Sequence, residues 1–311
     1  MRIFRNFEDV KEIKNAVVTT GSFDGVHVGH YCIIQRLNRL AKEIDGESVL
    51  VTFFPHPRKV LFPDTAGKDL KLINSQREKI ELLEKTGLNN LVIIDFTIKF
   101  SQISSEEFIR EILVKKIHTK KVVIGFNHHF GHNRTGDFNY LYKLGKELSF
   151  EAEEIPEQDI HNEVVSSTKI RKAIQEGRIQ KANAYLDHHY IITGEAKKLS
   201  TDDNLLQWYN INIEEECKLM PPEGIYAIFI YYKGKQHKGM VEISENDKLL
   251  KKCNHNKNTL LNLFDTNDNL NGKIITIYFA SRIQSLLNKK TLNEKEKQYI
   301  LSKNLIEELI Y

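Results

Sequence analysis

Between residues 16 and 155 the apolar residues switch repeatedly between two periods, and that switching constrains the fold more than any other feature of the chain. Residues 16–20 (AVVTT) read as a buried strand. Ile33, Ile34, Leu37, Leu40, Ala41 and Ile44 then recur at helical spacing. Residues 48–53 (SVLVTF) form a second strand. A helix over 75–86 opens with a capping box, Ser75 as N-cap and Glu78 three residues on. Residues 91–95 are a third strand. Ser104 and Glu107 open a further helix in the same way, carrying Phe108, Ile109, Ile112 and Leu113. Residues 121–125 are a fourth strand, a helix passes through Leu141 and Leu144, and 150–155 reads as a fifth strand. Strand and helix alternating at this spacing imply right-handed βαβ units and a parallel, Rossmann-like α/β sheet covered by helices.

The pattern changes near Asp187. Short β-rich runs follow at 190–193, 209–213, 225–232, 238–243 and 273–279, separated by turns rich in Gly, Pro, Asn and Lys. They describe a small antiparallel β-barrel or sandwich, closed by a charged helical tail over about 293–309. The tract 246–271, rich in Asn, Asp and Lys, reads as mobile loop. Residues 1–186 and 187–311 are thus expected to be two domains, which suits a chain of 311 residues.

Hydrophobic residues make up 41% and charged residues 28%, the profile of a folded soluble protein. A formal charge of +3 gives no reason to expect nucleic-acid or membrane binding, yet leaves room for a local site for a small phosphorylated ligand. Cys32, Cys217 and Cys253 are far apart and odd in number. They speak against a disulfide framework or a Cys-rich zinc site and fit a reducing, cytoplasmic setting. The opening MRIFRNFEDVKEIK is charged throughout, unlike a signal peptide. No apolar run approaches the ~18 residues of a membrane helix.

In parallel sheets ligands bind at the carboxyl ends of the strands, near a switch point. The unusual residues fall there: GSFDGVHVGH (21–30) after the first strand, FPHP (54–57) after the second, GFNHHFGHNRTG (125–136) after the fourth. In the first, Gly21, Gly25 and Gly29 let the backbone turn and approach a ligand closely. The helix start supplies N–H groups and a positive dipole end, which suits phosphate. His27 and His30, three residues apart, can face the same side of the first turn and donate to phosphate oxygens as a P–O bond breaks. The plainer alternative has one His packed and the other solvated. A second element, SSTKIR (166–171), begins a helix; Ser and Thr there can be simple N-caps, but Arg171, about a turn in, can make charge-assisted phosphate contacts. Gly177 is a plausible C-cap.

GSFDGVHVGH, FPHP, GFNHHFGHNRTGD and SSTKIRKAI, in this order, resemble the FMN adenylyltransferase module of bacterial bifunctional riboflavin kinase/FAD synthetases, a branch of the HIGH-type nucleotidyltransferases. The resemblance covers nearly all of residues 15–186. It implies that ATP binds with Mg²⁺ and that AMP passes to FMN without a covalent enzyme intermediate. His27, His30 and Arg171 act on the phosphates. Gly21, Ser22, Phe23, Asp24 and Gly29, with Ser167 and Thr168, hold ATP. Phe54, His56 and Pro57 line the flavin side with Phe126, Asn127 and Arg134. Core packing is the rival reading for Phe54. His128, His129 and His132 suggest a metal, but their spacing is not a helical HxxxH and no cysteine accompanies them; the resemblance makes them part of a substrate loop, with no protein-held metal expected.

By the same resemblance 187–311 is a riboflavin-kinase-like barrel. PPEGIYAI (221–228) and GKIITIYFASRI (272–283) match its skeleton. The family's GRxxGxPTAN segment becomes GEAKKLSTDDNLLQWYNINI, with Tyr209 and Asn210 at the Pro and Thr positions. Leu260 stands where the family has its catalytic glutamate, and a leucine is no general base. The expectation is FAD synthesis with kinase activity lost. The alternatives are a full bifunctional enzyme, a nucleotidyltransferase with another phosphorylated acceptor, and a ligand-binding regulator without turnover. Oligomeric state is not legible.

Overall fold

A computed structural model of the protein describes residues 1–10, 12–126, 128–156, 159–160, 163–199, 207–245, 257–266, 268–286 and 292–309. Asn127, Cys253 and the stretch 246–256 of the Asn-rich tract lie outside the described residues. By contacts the chain divides into two units, Met1–Leu70 with Lys79–Ser166, and Lys71–Glu78 with Ser167–Tyr311.

The first unit is built on a parallel sheet. A short strand β1 (Arg2–Phe4) precedes β2 (Val17–Thr20), all four of whose residues are buried. Helix α1 (Val28–Glu43) follows, turning Ile34, Leu37, Leu40 and Ala41 to the core. Strand β3 (Ser48–Phe54), helices α2 (Pro57–Leu61) and α3 (Gln76–Glu84), and strand β4 (Asn90–Asp95) come next. A short α4 (Ile98–Ser101) leads to α5 (Ser105–Glu107), capped by the Ser104 hydroxyl, which accepts from the Glu107 N–H. The chain then winds on over Phe108–Lys116 as a π-helix. Its end is marked by the Ile117 N–H bonding back to the Ile112 carbonyl. The expected apolar set Phe108, Ile109, Ile112 and Leu113 is buried. Strand β5 (Lys121–Gly125), α6 (Phe138–Leu148) and β6 (Glu151–Ile155) complete the layers, and β7 (Asp159–Ile160) pairs with β8 (Glu163–Val164) as a small hairpin. The sheet order is β1-β4-β3-β2-β5-β6, parallel throughout. From β2 the order runs one way through β3 and β4 and the other way through β5 and β6, so the switch point lies beside β2.

In the second unit α7 (Ser167–Gln175) and α8 (Ile179–Leu186) precede a closed antiparallel barrel. The Asn183 amide donates to the Phe279 carbonyl and accepts from the Tyr190 N–H, seating α8 on the barrel. The barrel strands are β9 (Tyr190–Lys198), β10 (Trp208–Asn212), β11 (Gly224–Tyr232), β12 (Lys235–Glu245), β13 (Lys257–Leu263) and β14 (Lys273–Gln284), closed in the order β10-β13-β12-β11-β14-β9. Helix α9 (Leu292–Leu309) packs on β12 and β14, with Ile306 buried and the Gln284 amide donating to the Ser302 hydroxyl at 2.6 Å. Two expectations need correction. Strand β13 lies inside the tract read as loop: its Asn and Lys content hides the alternation that buries Thr259 and Leu261. Strands β11 and β12 run on to a two-residue turn at Lys233 and Gly234, a tight hairpin that keeps them paired to Tyr232↔Lys235. Among the described residues no helix is long and apolar enough to cross a membrane.

Candidate active site

Strands β3, β2 and β5 are parallel neighbours, so the segments leaving their carboxyl ends share one edge of the sheet. These are FPHP, the loop from Gly21 to His27, and the segment after Gly125. The first loop is strained. Phe23 (φ +48°) and Val26 (φ +42°) hold left-handed backbone although neither is glycine, and Gly25 between them has φ +95°. Non-glycine residues in that region cost of order 1–3 kcal/mol each and persist where surrounding structure over-determines them. Here Phe23, Asp24 and Val26 are all buried. Gly29 supplies room instead: a Cβ there would stand 3.3 Å from His27 Cε1.

His27 is the N-cap of α1, in extended backbone, and is itself 8% exposed. Its ring stacks on His30 with centroids 3.7 Å apart, and Phe23 covers the other side of His30 at 4.4 Å. The two imidazoles thus share the first turn, as their spacing predicts. Burial above all, then the neighbouring His27 and the Lys79 ammonium, holds the His30 imidazole well below the ordinary histidine pKa.

Beside β2, the Thr20 hydroxyl and His128 Nε2 lie 3.2 Å apart, which ties the segment after β5 to the carboxyl end of β2. His132 faces elsewhere, its Nδ1 lying 3.1 Å from the Ser101 carbonyl. Burial, with His129 and Arg134 nearby, lowers His128 from 6.5 to about 4. The His128 imidazole is therefore neutral in the fold at pH 5 to 6 while it is protonated in the unfolded chain. Its contribution to stability is present above about pH 6.5 and lost as pH falls toward 4. On the order of 1–3 kcal/mol should disappear between pH 7 and pH 4.5. Unfolding curves at both values should show a smaller drop for His128→Asn than for wild type; equal drops would remove His128 as the cause.

Of the residues that the resemblance assigns to FMN, Phe54 is 40% exposed and Phe126 51% exposed, so neither is packed in the core. His56 caps α2, its Nδ1 accepting from the Arg58 N–H at 3.2 Å with Pro57 in the first turn. Arg134 is exposed with φ +57°. Ser167, Thr168 and Arg171 belong to the second unit, on α7, where Arg171 Nε donates to the Lys71 carbonyl at 2.9 Å. Gly177 follows α7 at φ +72°, as expected of a C-cap.

Lys79 was not foreseen as a site residue. It is 8% exposed, and its ammonium donates to the Ser22 carbonyl at 3.1 Å and the Thr52 hydroxyl at 3.4 Å. The signal for it was its place at helical spacing with buried Leu82, Leu83 and Thr86, which puts a lysine on the inward stripe of α3.

A parallel sheet with a strained glycine loop and stacked histidines at its switch point is an α/β domain with the makings of a phosphate-binding site. Residues 9–169 match the family model described as FAD synthetase, and residues 186–299 the one described as Riboflavin kinase. A "Bifunctional riboflavin kinase/FMN adenylyltransferase" of Buchnera aphidicola subsp. Acyrthosiphon pisum (strain APS) is 32% identical over 308 residues, covering 97% of this chain and 96% of its own. One of the same description from Listeria monocytogenes serovar 1/2a (strain ATCC BAA-679 / EGD-e) is 31% identical, covering 75% of this chain and 73% of its own. A solved structure, titled as a macrolide-efflux protein from Streptococcus pneumoniae, aligns with a TM-score of 0.85 at 22% identity over 98% of both chains, a likeness of fold. The chain belongs to the bifunctional riboflavin kinase/FMN adenylyltransferase family.

Proposed function

We propose that the chain makes FAD by moving AMP from ATP onto FMN, with release of pyrophosphate. The stacked His27–His30 pair at the start of α1 carries this reading. Two imidazoles beside a helix N-terminus are donors fixed in advance where negative charge grows as the α–β P–O bond breaks. A phosphate oxygen of FMN attacks the α-phosphorus in line and forms the new P–O bond; the bridging oxygen leaves with pyrophosphate. Gly21, Ser22, Phe23, Asp24 and Gly29 shape the loop that receives ATP. Ser167, Thr168 and Arg171 are assigned to the triphosphate by family resemblance. Phe54, His56, Pro57, Phe126, Asn127 and Arg134 are assigned to FMN on the same ground. Mg²⁺ enters with ATP. Among the described residues no group of three or more His, Cys, Asp or Glu could hold a metal ion, and in this reading phosphate oxygens and water are its ligands.

The riboflavin kinase activity is lost in this proposal. Leu260, at the family's glutamate position, packs against an apolar cluster of Trp208, Ile225, Ala227, Met240 and Ile306, and its own side chain cannot accept a proton. One observation favours a second reading in which the kinase survives. Glu242 of β12 pairs directly opposite Leu260, and its carboxylate accepts from the Tyr299 hydroxyl. A carboxylate moved to the neighbouring strand could replace the missing base. Incubating the protein with ATP, Mg²⁺ and either FMN or riboflavin separates the readings by product. FAD from FMN but none from riboflavin is expected. FMN formed from riboflavin at enzymatic rate, and abolished by Glu242→Gln, would establish the second reading.

A further inference from the structure

The GSFDG loop is held from below by a buried cation. Lys79 reaches from α3 to the Ser22 carbonyl at 3.1 Å, and to the Thr52 hydroxyl at 3.4 Å. Thr52, fully buried on β3, donates to the same carbonyl at 3.3 Å. The next residue, Phe23, has left-handed backbone and stacks on His30 at 4.4 Å, and His30 stacks on His27 at 3.7 Å. One ammonium therefore holds the carbonyl from which the strained turn begins, and the turn carries the ring that stacks on His30, on which His27 stacks in turn. We infer that Lys79 is a positioning residue for adenylyl transfer: it locks the Ser22 carbonyl, sets the Phe23–His30–His27 stack, and brings a positive charge to the loop that receives the polyphosphate.

The charge has a separate consequence. The groups acting electrostatically on His30 are His27, at the head of its own helix, and Lys79 on α3; both hold the imidazole neutral, in addition to burial. Without the Lys79 charge the His30 pKa moves up, so the acid limb of the activity profile moves toward neutral pH.

The inference rests on the reading of His27 and His30 as phosphate groups, so the test carries His30→Ala as a control. FAD formation from ATP and FMN is measured for wild type, Lys79→Met, Lys79→Gln and Lys79→Arg across pH, with thermal unfolding alongside. Lys79→Met should lose roughly 10- to 100-fold in kcat, the scale of a misplaced group, and its acid limb should shift upward. Lys79→Gln, which can still donate to Ser22, should recover part of kcat but keep the shifted limb. Lys79→Arg should keep the wild-type limb. Wild-type kcat and an unshifted limb in Lys79→Met overturn the inference, as does a loss of activity that only follows the folded fraction. If His30→Ala is also fully active, the reading of the site fails; if His30→Ala is impaired while Lys79→Met is not, only the inference about Lys79 fails.

Discussion

His30→Ala should lower FAD formation from FMN and ATP by about 10²–10³-fold, the usual loss when one preorganised donor to a developing oxyanion is removed. The loss should fall on kcat, because the donor matters most when charge builds on the departing pyrophosphate. Folding should survive. His30 is on the first turn of α1, while the hold of that helix on the sheet comes from Ile34, Leu37, Leu40 and Ala41 further along. Replacing a buried imidazole held below its ordinary pKa with a small apolar side chain also removes a group that disfavours folding at acid pH, so the variant should lose less stability than wild type as pH falls. Steady-state kinetics with circular dichroism as a folding control are sufficient. Turnover within a fewfold of wild type would remove His30 from the mechanism. Gly29→Ala is a milder version of the same experiment, since its Cβ would press on the His27 ring from 3.3 Å without removing any donor.

The loop was legible because its residue types and their order are local. Two histidines at helical spacing, glycines between strand and helix, and apolar periods on either side all lie within residues 16–44. The stacking of His27 on His30 follows from that spacing. What was not legible depends on distance in sequence or on composition that hides a pattern. Lys79 sits in QREKIELLEK, where a lysine among charged residues reads as solvated surface. Only its alignment with Leu82, Leu83 and Thr86 hints that it points inward, and nothing local says that Ser22 receives it. The π-wound stretch Phe108–Lys116 buries the same side chains an α-helix would, so the apolar pattern cannot tell the two apart. Strand β13 was masked by asparagines, although Asn262 is itself buried, its amide donating to the Gln207 carbonyl at 2.9 Å. Glu242 beside Leu260 is a pairing across strands that no linear alignment displays.

Glu78 shows the same division within one residue. Its capping role was readable: the Ser75 N–H donates to its carboxylate at 2.8 Å, and its own N–H donates to the Ser75 hydroxyl at 3.2 Å. Its larger role was not. The other carboxylate oxygen accepts from the Thr193 N–H at 2.8 Å, and Oε2 is 2.6 Å from the Lys218 ammonium, with both side chains fully buried. Lys218 also donates to the carbonyls of Ile73 and Ile191, at 2.6 and 2.7 Å, and lies 4.4 Å from the Tyr190 ring centroid. Burial pushes the Glu78 carboxyl up, while Lys218 and the backbone donors pull it down. A pair so fully hydrogen-bonded is costly to break from one side, because the remaining charge stays buried. Lys218→Met should therefore destabilise the protein by about 3–5 kcal/mol, a large share of the ~5–15 kcal/mol typical of a domain. It leaves the Glu78 carboxylate and two carbonyls without their cation. Adding Glu78→Gln should restore part of the loss, since the double variant no longer buries a lone charge, and the two effects should fail to add by at least about 1 kcal/mol. Trp208, the sole tryptophan and a barrel residue, gives a fluorescence signal for this unfolding. Lys115→Met, which breaks an exposed i,i+4 pair with Glu111, should leave the midpoint where it was. If Lys218→Met behaved like Lys115→Met, the backbone pairing of Leu72 to Cys217 and Leu219, with the other bonds that hold the segment Lys71–Glu78 in its unit, would suffice, and the buried pair would have no measurable part in stability.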